Sequence, residues 1–444
     1  MPDLLESVID QLDFKSGQLY DSSANAKSLN QYEWLNIGDW LVAARKAGAE
    51  KIFFVDNNPV VVFARCAQDI QAKVETFNRL WCLSRPRILF LEAEGELSVI
   101  DLAQAPLRSD GKVQPQLKAL AILKSVQAVA RQLQDFHRDN IESGKVFEKG
   151  RFGSLKHRAD QTLIADLKTV RRELMAKGLA SSNAHALIGR SIFIRYLEDR
   201  GILTDAYFLK VAELSSKWRT LLNTPLSREN LDFSGIRAIF PRVLQNKSFT
   251  YALFKALSHD FNGDMFPNID DEENHVQDQH LQLIQDLLYG DAGAQKKLFF
   301  FSYRFDIIPL DLISAIYEEF YHSSSGKEDK KSKARQDGAY YTPPVLAEFV
   351  LSRLLTVDVL KQNPKILDPA CGSGIFLVEA FRRIIRYHIG QRSSVPSFNE
   401  LKQRRWWTEP NQDKDTRNHQ RNLGFQMLED CLHLSRNVLT DILS

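Results

Sequence analysis

Cysteine is scarce in this chain, and spacing pairs none of it. Only four of the 444 residues are Cys: Cys66, Cys82, Cys371 and Cys431. No two form a C-x-x-C pair, so neither a zinc site nor a disulfide framework is expected. A reducing cytoplasm suits them. The ten histidines make no H-x-x-x-H or H-E-x-x-H string, which argues against a metal centre. There is no phosphate-binding P-loop string. No apolar run approaches the ~18 residues of a membrane span. The N-terminus, MPDLLESVIDQLDF, carries acids early and lacks the pattern of a signal peptide. Charge of one sign is also lacking. Lys and Arg number 58 against 56 Asp and Glu, a net +2, so any surface for a polyanion must be local.

What is present fits a globular protein of two or three domains, with 44% hydrophobic and 26% charged residues. The fold class read from pattern is mixed α/β in three parts. Residues 1–110 form an α+β module. Two β-rich runs in KIFFVDNNPVVVFARC (51–66) flank the turn cluster Asp56-Asn-Asn-Pro59. A similar pair in RILFLEAEGELSVIDL (87–102) flanks Ala93-Glu-Gly-Glu96. Between them QAKVETFNRLWCLS (71–84) reads as a helix with Val74, Phe77, Leu80 and Trp81 on one face.

Residues 111–321 read as a helical domain. Leu163, Leu167, Val170 and Leu174 fall at helical spacing, with Gly178 as a C-cap. NAHALIGRSIFIRYLEDRGIL (183–203) is apolar nearly all round, as a buried helix would be, and Gly201 can end it. The charges of RYLEDR (195–200) suit a salt-bridged helix face. The basic residues of RRELMAKG and KHR could touch DNA phosphates or simply be solvated. Residues 322–337, rich in Lys, Ser and charge, read as a linker.

Residues 338–444 bring a different pattern: helix, strand, Gly-rich turn, helix. In PKILDPACGSGIFLVEAFRRII, Lys365-Ile-Leu367 can be a short buried strand with Asp368 at its carboxyl end. Gly372 and Gly374 follow, and a helix begins at Ile375. Strand, Gly-rich turn and helix open the nucleotide sites of doubly wound folds. Glycine lets a ligand approach the backbone, and the helix N-terminus favours a carboxylate or phosphate. Asp368 can take an amine or a hydroxyl. The G-x-G-x-x-G of dinucleotide sites is absent, since Leu377 occupies its third glycine position. Upstream, in GAYYTPPVLAEFVLSRLL (338–355), Thr342 is a natural N-cap with Pro343 in the first turn. A cap accounts for Thr-Pro without any ligand, but not for the two preceding tyrosines.

Together, G-x-Y-[YF]-T-P followed by D-P-A-C-G-S-G resembles the N6-adenine-specific DNA methyltransferases. The likeness is to the branch of type I modification subunits and fused restriction–modification enzymes. It spans about residues 40–403 and is specific at the two strings. IFIRYLEDRGIL (192–203) is similar to the helical domain of that branch, and FNRLWCLSRPRILFLEAEGELSVIDL (77–102) to the N-terminal module of some members. The resemblance implies a partial Rossmann-like domain binding S-adenosyl-L-methionine, with a flipped adenine of double-stranded DNA as substrate. It implies cofactor contacts from Ala339, Tyr340, Tyr341, Thr342 and Pro343 and from Asp368, Pro369, Ala370, Cys371, Gly372, Ser373 and Gly374. The tyrosines and Thr342 would lie over the methionine end, Asp368 would meet the amino group, and the 370–374 turn would pack on the backbone side.

The sequence departs from that family after Gln403. The Asn/Asp/Ser-Pro-Pro-aromatic string that positions the adenine amine is absent, as is the acidic residue expected for the ribose hydroxyls. RRWWTEPNQDKDTRNHQRN stands instead, and Leu423, Met427, Cys431, Leu434 and Val438 could line a later helix. Truncation is the favoured reading, with a second subunit completing the domain as the other. The chain alone is therefore expected to be inactive, with no catalytic residue of its own assigned. The reading from another class is a non-catalytic remnant that binds DNA or a partner. A nuclease in the N-terminal module is not expected: Asp56 suits a turn, and Glu92-Ala-Glu94 lacks a following lysine.

Overall fold

The computed structural model describes residues 3–93, 95–107, 117–223, 239–260, 269–289, 303–308, 342–368 and 374–391. Its contacts divide the chain into two compact units, residues 1–163 with 302–309, and 164–301 with 310–444.

The first unit is built on a six-stranded sheet in the order β1-β2-β3-β4-β5-β6. β1 is Gln18–Asp21, β2 Lys51–Val55 and β3 Asn58–Arg65. Asp56 and Asn57 turn the β2–β3 hairpin with φ of 50° and 64°, so the expected turn cluster is where the sequence placed it. Asp and Asn tolerate this left-handed backbone better than most residues. The register slips between Phe53 and Phe54, opposite Pro59, whose missing N–H weakens the ladder there.

β4 (Ile88–Ala93) runs parallel to β3, which requires a crossover. The helix Ile70–Trp81 supplies it, burying Val74, Phe77, Leu80 and Trp81 as its spacing predicts. β5 (Glu96–Asp101) returns antiparallel, and β6 (Ala119–Leu123) pairs with β5. β6 lies in the stretch that the sequence reads as mostly helical. Its Ala-Leu-Ala-Ile-Leu composition favours helix locally, and the distant ladder with β5 overrides that preference.

Alternate strand residues face opposite sides. On one side Phe53, Phe63, Phe90, Leu97 and Val99 form a core with Phe14, Phe136 and the helix Leu4–Gln11. The Phe14 ring meets those of Phe53 and Phe63 edge-on at 5.0 Å each, and Phe63 stacks on Phe90 at 5.1 Å. The helix Gln31–Ala47 packs on β2 and β3, its N-terminus closed by an Asn30–Glu33 capping box. After β6 come three short helices: Val129–Gln132, Arg138–Glu142 and Lys145–Glu148.

The second unit is helical where described up to Leu288. Leu163, Leu167, Val170 and Leu174 on the helix Ala159–Ala176 are all fully buried. Gly178, at φ 89°, lets the chain turn so that the Leu179 N–H reaches the Leu174 carbonyl at 3.1 Å. The helix Ser181–Asp199 is buried nearly all round, as expected. It also carries charge inward. Arg190 pairs with Glu272 at 2.5 Å, and Tyr251 donates to the same carboxylate at 3.0 Å. Burial pushes the Glu272 carboxyl up against the opposing pull of Arg190.

The RYLEDR charges do pair: Arg195 meets Glu198 at 2.5 Å and also Asp199. Glu198 further accepts from the Ile239 and Phe240 amides at the start of the helix Phe240–Val243. His280 bridges two helices. Its Nδ1 accepts from the Gln277 amide at 3.0 Å, so Nε2 carries the proton toward the Lys177 carbonyl 3.2 Å away. No described helix is long and apolar enough to cross a membrane.

Candidate cofactor site

Only the edges of the two motif strings fall within the described residues: Thr342 and Pro343 of the first, and Asp368 and Gly374 of the second. The helix that follows the first string runs Pro344–Leu354. It starts one residue later than the sequence predicts. Pro343 is its N-cap, at φ −55° and ψ 137°, and no side chain closes the cap. The cause is the double proline. Pro344 at the first helical position forces the residue before it out of the helical region. Thr342 is thus one place too early to cap the helix and stands half-buried ahead of it.

Residues 363–368 form no strand. This corrects the expected buried strand at Lys365-Ile-Leu367. Ile366 is 39% and Leu367 86% exposed, and Asp368 is half-buried. A parallel strand needs neighbours to take its N–H and C=O groups. No described residue between 342 and 391 is in a strand, so this stretch has no ladder within its own segment.

Gly374 has φ 79° and hands over directly to the helix Ile375–Gln391. Among the described residues, nothing lies within 4 Å of a Cβ built on Gly374, whose backbone is in a conformation that glycine adopts without strain. The Val378 amide bonds back to the Gly374 carbonyl at 2.9 Å, which fixes the first helical turn. That turn has no acidic residue, so its positive dipole end is not neutralised from within. Ala339, Tyr340, Tyr341, Pro369, Ala370, Cys371, Gly372 and Ser373 lie outside the described residues, as do residues 404–443.

The two helices pack on one another. Arg383 reaches across and donates to the Leu355 carbonyl at 2.7 Å, satisfying the C-terminal end of Pro344–Leu354. Glu379 is buried and holds Arg382 at 2.5 Å, with Arg386 3.7 Å away. The short helix Val357–Lys361 sits between them in sequence and buries Leu360. Sequence reasoning missed the Glu379 cluster. Its signal was available: Glu379 with Arg382 and Arg386 three and seven residues on, all on one helical face.

Other positions singled out in the sequence have structural partners. Glu92 takes the Arg65 guanidinium at 2.9 Å and the Leu5 amide at 3.3 Å. Arg158 pairs with Asp160 at 3.1 Å, and Arg171 donates to Ser181 at 3.0 Å. Among the described residues no group of three or more His, Cys, Asp or Glu could hold a metal ion.

The chain matches the N-6 DNA Methylase family over residues 309–402, about a fifth of its length. No curated protein and no solved structure matches it. The match encloses both strings, and the segment that carries them is similar to the adenine DNA methyltransferases.

Proposed function

We propose that this chain carries the cofactor-binding part of a DNA adenine N6-methyltransferase of a restriction–modification or phage-defence system. The observation that carries the reading is the N-6 DNA Methylase match at 309–402, across both strings. In this reading residues 1–110, 111–321 and 338–444 are the N-terminal module, helical domain and methyltransferase part, joined by a linker at 322–337. The protein works in the cytoplasm on double-stranded DNA.

S-adenosyl-L-methionine, when bound, supplies the methyl group. The local chemistry is suited to its methionine end. The first turn of Ile375–Gln391 carries no acidic side chain, so its dipole end suits a carboxylate, and no described residue would crowd a Cβ at Gly374. Asp368 would meet the ammonium. Tyr340, Tyr341 and Thr342 would cover the same end, and Thr342 is free of a capping role. The Glu379–Arg382 pair and the Arg383–Leu355 bond brace the helix that presents the turn.

The sequence offers no Asn-Pro-Pro-aromatic string to orient the adenine amine. Misplacing reactants by ~1 Å can cost roughly 100-fold, and lacking the acceptor groups costs more. The chain alone is thus proposed to bind cofactor without methylating DNA, and a second subunit would supply the acceptor site or the sequence specificity. The unpaired, exposed Ile366-Leu367 favours a second reading, a non-catalytic protein that holds DNA or a partner.

The test is a methyl-transfer assay with labelled S-adenosyl-L-methionine and mixed-sequence duplex. It is run on the full chain with and without the products of neighbouring genes. No transfer by the chain alone is expected. Transfer only with a neighbour selects the split enzyme, and silence in both selects the binding protein. Transfer by the isolated chain contradicts the proposal and requires an acceptor site within it.

A further inference from the structure

Positive charge is unevenly spread in the first unit. Residues 1–107 carry ten Lys and Arg against fifteen Asp and Glu, whereas residues 108–158 carry eleven against five. Several cations around the sheet are neutralised. Arg65 meets Asp3, Glu50 and Glu92. Arg138 meets Asp13, Asp139 and Glu142, and Lys51 meets Glu6 and Asp21.

Lys145, Lys149, Arg151 and Lys156 differ. All four are exposed. Lys149 and Arg151 share a single carboxylate, Asp135. Among the described residues Lys145 and Lys156 make no ion pair. The backbone beneath them is nonetheless held. The Gly153 amide donates to Asp101 at 2.8 Å, and its carbonyl accepts from Arg87 at 2.6 Å. Arg87 also lies over the Phe152 ring at 5.2 Å, and Phe152 packs on Phe147. Farther along, the Trp81 indole donates to the His157 carbonyl at 2.8 Å. A pinned segment that projects more cations than its carboxylates neutralise is preorganised for a polyanion, because the backbone does not have to be ordered on binding.

We propose that the segment Lys145–Arg158 is a contact surface for the phosphate backbone of duplex DNA, with Lys145, Lys149, Arg151 and Lys156 each meeting a phosphate. The choice of duplex DNA rests on the methyltransferase reading; the surface itself rests on the charge and tethering just described. Such contacts position the protein on DNA and carry no sequence information. They also release counterions, so affinity falls with salt by about 0.9 logarithmic units per logarithmic unit of salt for each contact.

The test uses the full chain and a labelled mixed-sequence duplex, without cofactor, titrated at several KCl concentrations. Replacing the four residues together by Gln should make the salt slope shallower by roughly 3 to 4, and lower affinity on the order of 1000-fold near 0.1 M salt. Lys145→Gln with Lys156→Gln, which disturbs no ion pair, should take about half of that slope. A matched control, Gln at Lys27, Arg45, Lys210 and Lys217, removes the same charge from exposed positions elsewhere. An unchanged slope in the pair and fourfold variants, or an equal loss in the control, overturns the surface while leaving the methyltransferase reading standing. A parent chain that prefers single-stranded RNA, or binds no duplex, overturns this surface and, in the second case, the DNA reading as well. Loss of methyl donor binding in an otherwise DNA-competent chain would strike the methyltransferase reading alone.

Discussion

The sheet of the first unit and the motif segment 342–391 use similar apolar strings to different ends. In the sheet, Ile88-Leu-Phe-Leu91 is bracketed by β3 and β5, and each of those side chains is buried. In the motif segment Ile366 and Leu367 are exposed, as are Val345, Leu346, Phe349 and Leu354 on the helix that follows the first string. A run of apolar residues thus becomes a buried strand only where both neighbours are supplied. β4 has them within about thirty residues on either side. The motif stretch has none in its own segment, and its helices are instead held by Arg383 and Glu379.

The comparison breaks most visibly if the two regions respond alike to truncation. Phe90→Ala removes a ring stacked on Phe63 and edge-on to Phe14 and Phe136. It should cost about 3–5 kcal/mol in denaturant unfolding of the first unit. Leu367→Ala should change stability by less than about 0.5 kcal/mol. A large loss at Leu367 would mean that this stretch is packed after all.

A second large effect is expected in the helical unit. Arg190→Met leaves the Glu272 carboxylate buried without its partner. It should cost about 3–5 kcal/mol, part of which the carboxyl recovers by taking up a proton. Calorimetry of the variant across pH would register both.

A smaller effect sharpens the same unit. Burial, aided by the nearby Arg171 charge, lowers the His185 pKa to about 4. The unfolded chain takes up this proton near pH 6.5 while the folded one resists it. Stability should therefore fall as pH drops from about 6.5 to 4, and level off below. His185→Asn should flatten the profile in that window. In the first unit, Ser16 and Arg138 hold Asp13 below the ordinary carboxylate range. Its contribution is present above the ordinary value near 3.8 and is lost as pH falls through the lower folded pKa.

Local patterns made much of this legible. Asp56-Asn57, the Val74–Trp81 face, Gly178 and Gly201 each act within a few residues, and each does what its neighbours dictate. Distance hid the rest. β6 owes its conformation to β5, and Arg190 lies far in sequence from Glu272. Glu198 caps a helix that begins some forty residues away. At the candidate site the reading erred by one residue at Thr342, where two prolines compete for the first helical position. It erred over 365–367 because apolarity alone does not supply a ladder. The start of the helix at Ile375, directly after Gly374, was read correctly.

The central claim is that the turn entering Ile375–Gln391 and the carboxylate of Asp368 hold S-adenosyl-L-methionine. Equilibrium binding of the labelled cofactor to the full chain tests it most directly, alongside Asp368→Ala and Gly374→Val. Measurable binding by the parent is predicted, weakened at least about tenfold by either substitution, with one lost charge-assisted contact worth roughly 1.5–3 kcal/mol. A parent chain that does not bind, or binding that neither substitution alters, would contradict the account.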